Sequence, residues 1–264
     1  MSQPGGPTEL PPPPPLRPRG VGEILSAAFD LYGRYWRTLL PLVAVVVIPL
    51  SILQYALADA TRVDRAGELS TKEAVGAGFG GLVIGLGSLF LTILVTGAVA
   101  WAVAGILVRR EPDLGESYRF GLARFWPIVL VSILTALAVA GGFILLIIPG
   151  FIFLTRFSVS VPVLVVENRR GTTALSRSWD LVTGYSWPVF GTLILAALLT
   201  GLVSAVLTVP FAAWFLKGLL AGIASTITTP FFALVLALIY FDLRVRKEHL
   251  DIASLDAQLR ASAP

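Results

Sequence analysis

Six long apolar runs lie between Thr38 and Tyr240, and they decide what this chain can fold into. They cover about 38–57, 80–108, 127–148, 151–166, 188–208 and 214–240. At a rise of about 1.5 Å per residue, roughly 20 apolar residues carry a helix across the hydrocarbon of a bilayer. Lipid offers no hydrogen bonds, so a spanning segment must satisfy its own backbone. Only 14% of the 264 residues are charged and 56% are hydrophobic. A soluble domain carries about 25% charge, and no single soluble core could hide so much apolar surface. The expected fold is therefore all-α: a polytopic membrane protein with six transmembrane helices.

The fourth run is short and contains Arg156, so its status needs a separate argument. Cytoplasmic segments of membrane proteins collect Lys and Arg. With six spans and the N-terminus inside, fifteen basic residues fall inside: Arg17, Arg19, Arg34 and Arg37; Arg109, Arg110, Arg119 and Arg124; Arg169, Arg170 and Arg177; and Arg244, Arg246, Lys247 and Arg260. Four fall outside: Arg62, Arg65, Lys72 and Lys217. If the fourth run did not span, the last two inside groups would move out and the bias would vanish. Six spans with both ends cytoplasmic follow. Scarce lysine against abundant Arg, Ala, Val and Gly points to a bacterial inner-membrane protein.

The runs are punctuated by a repeat. Residues 25–36 read Leu-Ser-Ala-Ala-Phe-Asp-Leu-Tyr-Gly-Arg-Tyr-Trp, and residues 175–187 read Leu-Ser-Arg-Ser-Trp-Asp-Leu-Val-Thr-Gly-Tyr-Ser-Trp. A weaker copy runs from Leu114 to Trp126. In the first copy Val21, Ile24, Leu25, Ala28, Tyr32, Tyr35 and Trp36 share one helical face, while Glu23, Ser26, Asp30 and Arg34 lie off it. That is the pattern of an amphipathic helix lying in the membrane interface. The expected unit is an interfacial helix followed by a hairpin of two spans, used three times. Three regions result: a proline-rich, disordered cytoplasmic tail over 1–20, a six-span membrane domain over 21–248, and a short cytoplasmic C-terminal tail over 249–264. The tail has no apolar signal core, so the first span is expected to act as an uncleaved insertion signal. Pro11 to Pro15 favour extended polyproline II, a docking ligand for a partner with an aromatic groove.

Reactive chemistry is sparse. The chain has no cysteine and one histidine, His249. No metal-ligand spacing, phosphate loop or nucleophile elbow is present, so no cofactor is expected. No Asp or Glu lies deep in a span, where a proton or cation relay would need one. The net charge of +4 flanks apolar runs instead of forming one face, which argues against nucleic acid and for anionic lipid.

Three groups remain as candidate sites. Arg156 is the one charge inside an apolar run; it either snorkels to a structural hydrogen bond or binds an anion. Ser225, Thr226, Thr228 and Thr229 precede Pro230; they either satisfy backbone groups freed by that proline or line a polar cavity facing Arg156. Arg244, Arg246 and Lys247 end the sixth run and are expected to anchor it at lipid headgroups. Pro149-Gly150 predicts the turn between the third and fourth spans, and Pro162 a kink in the fourth.

Five pieces of the chain carry a resemblance: 17–25 leading to Tyr35-Trp36, Ile148-Pro-Gly150 with Arg156, Pro162 to Glu167, Ala174 to Ser178, and Ile239 to Glu248. Together they resemble the bacterial multi-pass family called glycerophosphoryl diester phosphodiesterase membrane domain. The resemblance implies a membrane module only, because a phosphodiesterase barrel would need metal-binding His and Glu residues that this chain lacks. The expected function is a non-enzymatic module that handles lipid or scaffolds a partner through its tail or interfacial helices. A transporter of a small or lipid-like substrate is the alternative, and an enzyme of phospholipid metabolism the remote one.

Overall fold

The computed structural model describes residues 17–63, 97–106, 114–209 and 214–250, with 254, 255 and 257. The described residues form helices and turns, with no strand among them. In chain order the helices are α1 (Val21–Val63), α2 (Gly97–Ile106), α3 (Leu114–Ala123), α4 (Phe125–Leu145), α5 (Ile147–Arg156), α6 (Ser160–Glu167), α7 (Thr172–Val182), α8 (Ser186–Thr208) and α9 (Trp214–Glu248). Among the described residues, five segments are long and apolar enough to cross a membrane: Val21–Gln54, Phe125–Leu145, Ile147–Glu167, Ser186–Thr208 and Leu216–Glu248. Most of the second apolar run, with its glycine-rich start, lies outside the described residues. Its described part, α2, is buried almost all round, as a helix without a polar face must be.

One rule places the breaks. Proline has no N–H for the carbonyl four residues back, and its ring clashes with that carbonyl. Ala123 ends α3 and lies four residues before Pro127; Leu145 ends α4, four before Pro149. Ser158, between α5 and α6, precedes Pro162 by four, and Gly184, between α7 and α8, precedes Pro188 by four. Each of these prolines becomes the third residue of the next helix, where a missing N–H is one that a helix start leaves unpaired anyway.

The rule corrects two expectations. The turn between the third and fourth runs is the extended residue Leu146, and Pro149-Gly150 falls inside the first turn of α5. The fourth segment does not merely kink at Pro162; it breaks at residues 157–159 into α5 and α6. A third correction concerns the repeat. Its second and third copies are separate short helices, α7 and α3, but the first merges into α1, a single helix of 43 residues with Pro41 and Pro49 inside it. The second copy carries Gly184 at φ +89° three residues before its tryptophan and Pro188 directly after it. The first copy has a glycine at the matching place, Gly33, but it stays helical, and no proline follows Trp36, so the helix runs on.

The long helices α1 and α9 pack against each other along their lengths, with α8 against α9 beside them. Phe29 and Tyr32 of α1 meet the Phe231 ring at 4.6 and 6.3 Å. Further along, a Cβ on Gly222 would stand 2.9 Å from the Cα of Ile48. The hairpin of α4 and α5 closes in the same way, with Gly142 against Gly150 and the Phe153 ring, and Gly150 against the Phe143 ring. The core continues past α9, because Leu250 and Leu255 are buried in it.

Candidate functional site

The end of α9 carries the densest polar cluster among the described residues. Glu167, the last residue of α6, is the hub, with its side chain only 9% exposed. It accepts hydrogen bonds from Arg177 Nε (2.9 Å), Arg169 Nε (3.1 Å) and the Tyr240 hydroxyl (3.0 Å). Arg244 lies 3.8 Å away as an ion pair and donates to Tyr240 (3.1 Å) and Glu248 (2.9 Å). Arg177 also donates to Glu248. Burial lowers the Arg177 guanidinium, but its bonds to the two glutamates outweigh that and hold it above its ordinary value, fully charged. A carboxylate at a helix C-terminus opposes the helix dipole, and these cations and donors are what offset it.

Beside this cluster the chain's N-terminal arm is latched to α9. The Arg19 backbone N–H donates to Asp242 (2.6 Å), and Arg246 donates to both Asp242 (2.7 Å) and the Arg19 carbonyl (2.7 Å). Arg246 also lies over the Tyr185 ring at 5.3 Å. The Arg244, Arg246 and Lys247 group is thus largely engaged by protein. Arg244 is buried and paired, so it does not present its charge to a headgroup, and Arg246 fastens the arm. Lys247 is exposed, although it too donates, to the Asp180 carbonyl.

The latch carries a prediction. Asp242→Ala removes the acceptor that holds the arm, a charge-assisted bond worth about 1.5–3 kcal/mol. Trypsin cleavage after Arg19 then accelerates by about tenfold or more; Pro18 protects the bond after Arg17. An unchanged cleavage rate would mean that the latch holds nothing.

Arg156 ends α5. Its Nη1 donates to the Thr183 hydroxyl and the Trp179 carbonyl (3.5 Å), and its guanidinium lies 4.9 Å from the Trp179 ring centre. Its own carbonyl accepts from Ser178 (2.7 Å). Nε is buried with no hydrogen-bond partner. The residue lines a groove of about 440 Å³ between α5 and the first turns of α8. The walls are Ile148, Phe151, Ile152, Trp187 and Phe190, with Thr155 and Ser186 as the other polar residues. Thr155 donates to the Phe151 carbonyl, leaving Arg156 as the only charge on the lining. Trp187 is 82% exposed and Ile148 73%, so the groove opens outward between apolar walls.

The Ser225–Thr229 group lies elsewhere. Thr228 and Thr229 line a separate cavity of about 270 Å³ against Thr200 and Phe232. Thr226 and Thr228 donate to the carbonyls of Gly222 and Ala224, four residues back. These are helix-internal bonds, and the carbonyl that Pro230 frees belongs to Thr226 itself. This group does not line the groove at Arg156.

Sequence reasoning missed Glu167, Tyr240, Glu248 and Asp242. A signal was present: Asp242/Arg246 and Arg244/Glu248 are spaced i,i+4, which puts each pair on one helix face. Comparisons with protein-family models, with curated proteins and with solved structures find no match.

Proposed function

We propose that this chain is a non-enzymatic module of a bacterial inner membrane that binds an anionic amphiphile in the groove between α5 and α8. The carrying observation is a single guanidinium set in an outward-opening apolar groove with a buried donor unused. Arg156 is the only charge on that lining, and an anionic oxygen placed there would pair with it. Aromatic walls suit the chain of a lipid. Six spans with both ends cytoplasmic, as the arginine distribution implies, put the exposed Arg169, Arg170 and Lys247 at anionic headgroups. The proline-rich tail leaves the latched arm on that same side and offers a site for a protein partner. The resemblance to the phosphodiesterase membrane-domain family supports a membrane module in which the chemistry lies elsewhere. Among the described residues no His, Cys, Asp and Glu group has a metal-holding arrangement.

The test is to purify wild type and Arg156→Ala in native lipid discs and identify the retained lipids by mass spectrometry. An anionic class enriched in wild type and lost in the variant is expected. Bulk lipid in both would overturn the reading. One observation favours a transporter as a second reading: the span is broken at 157–159, immediately after Arg156, and transporters place substrates at such breaks. That reading requires two access states, and a single pattern of water accessibility along 147–167 would exclude it.

A further inference from the structure

The groove between α5 and α8 has a polar end and an apolar end, and the bundle fixes which way they point. Ile148, Phe151, Ile152, Thr155 and Arg156 recur at helical spacing and form one stripe of α5. At about 1.5 Å per residue, Ile148 lies about 12 Å from Arg156 along that stripe. Across the groove Ser186 and Trp187 open α8, and Phe190 follows one turn later. Phe190 meets Phe151 at 5.7 Å, while Arg156 donates to Thr183, just before α8 begins. The two walls therefore run antiparallel. Arg156, Thr155 and Ser186 gather at one end, and the lining becomes wholly apolar toward Ile148. Beyond it lies the hairpin tip, where Ile144, Leu145, Leu146 and Ile147 are also exposed.

The polar end is tied to the basic end of α9. The Arg156 carbonyl accepts from Ser178, and the neighbouring Arg177 donates to Glu248. Lys247 donates to the Asp180 carbonyl, and Arg246 lies over Tyr185, the residue before α8. A stripe of about 12 Å is shorter than half of the roughly 30 Å of bilayer hydrocarbon, so starting from this end it stays within one leaflet.

From this, and resting on the amphiphile reading above, we infer that the groove takes its ligand from the leaflet at the basic end of α9, the cytoplasmic one under the arginine distribution. The anionic headgroup sits at Arg156, and the chain runs along α5 past Ile148 toward the bilayer centre. An amphiphile from the opposite leaflet would meet the apolar end first, with its headgroup in hydrocarbon, and burying an unpaired charge there is costly. The exposed Arg169, Arg170 and Lys247 enrich anionic lipid in the chosen leaflet.

The chain has no cysteine, so Ser176→Cys, at an exposed position of α7, supplies one thiol at the basic end. The variant is reconstituted in sealed phosphatidylcholine vesicles in both orientations. An impermeant biotin maleimide tags the molecules whose basic end faces out. Photoreactive phosphatidylglycerol is then exchanged into the outer leaflet only, with its diazirine either beside the headgroup or at the chain end. Cross-linked peptides are mapped by mass spectrometry in the tagged and untagged fractions. Groove cross-links are expected in the tagged fraction alone, at Ser186 and Trp187 for the headgroup label and at 144–148 for the chain-end label. Arg156→Ala in the same background loses both. Groove cross-links in the untagged fraction, alone or at equal yield, would overturn the leaflet assignment and leave the amphiphile reading standing, as would the two labels exchanging places. Cross-links absent from both fractions, or undiminished in Arg156→Ala, would overturn both. The comparison of tagged with untagged molecules needs no Arg156 variant, so it decides the leaflet even if that variant does not fold.

Discussion

Glu167→Ala lowers the stability of the folded protein by about 3–5 kcal/mol, the range for removing one partner from a buried ion pair. The alanine leaves Arg177 and Arg244 facing each other across the end of α6 without the carboxylate between them, and the Tyr240 hydroxyl loses its acceptor. Glu248 still pairs with both arginines, which sets the effect at the lower end of that range if its side chain can shift inward. Tyr240→Phe, which removes one hydrogen bond, costs about 1 kcal/mol by comparison. Thermal unfolding in detergent micelles ranks wild type, Tyr240→Phe and Glu167→Ala in that order. A Glu167→Ala midpoint within a degree or two of wild type would show that solvent, not Glu167, compensates the two arginines.

Gly222→Leu separates α1 from α9. Any side chain there begins 2.9 Å from the Cα of Ile48, and backbone cannot rotate away as a side chain can. Overpacking of this kind costs about 1–3 kcal/mol, more when the obstructing atom is main chain. The damage spreads along the pair, because the Phe29–Phe231 contact depends on the same approach. The chain has no cysteine, so pairs introduced on α1 and α9 form the only disulfides available. Their cross-linking rate falls in Gly222→Leu and stays near wild type in Gly201→Leu, where a Cβ meets open space. Equal rates in the two variants would remove Gly222 from the helix contact.

Much of the fold was legible because two local signals are strong. Apolar runs of helix length marked Phe125–Leu145, Ser186–Thr208 and Leu216–Glu248 to within a few residues at most of their ends. Four prolines marked breaks, once the bond each cannot make is counted four residues back, while Pro41, Pro49 and Pro230 stand inside unbroken helices. What was not legible is long-range. Glu167, Arg177 and Tyr240 lie at three separate places in the chain, and only the packing of α6, α7 and α9 brings them together. The expected union of Arg156 with Ser225–Thr229 failed for the same reason. Hydropathy says that both are in spans, but not that α5 lies against α7 and α8 while the hydroxyls of α9 face Thr200.

The latch between Arg19 and α9 has a mechanical meaning. Residues 19 and 242 are 223 positions apart in sequence, yet a 2.6 Å hydrogen bond joins them. A pull on the N-terminal arm against α9 therefore falls first on the hydrogen bonds between Arg19 and that helix, before the helix bundle behind them. Such a joint yields at low force and re-forms when the load is removed, which makes the N-terminal arm a tether with a release and not a rigid extension of α1.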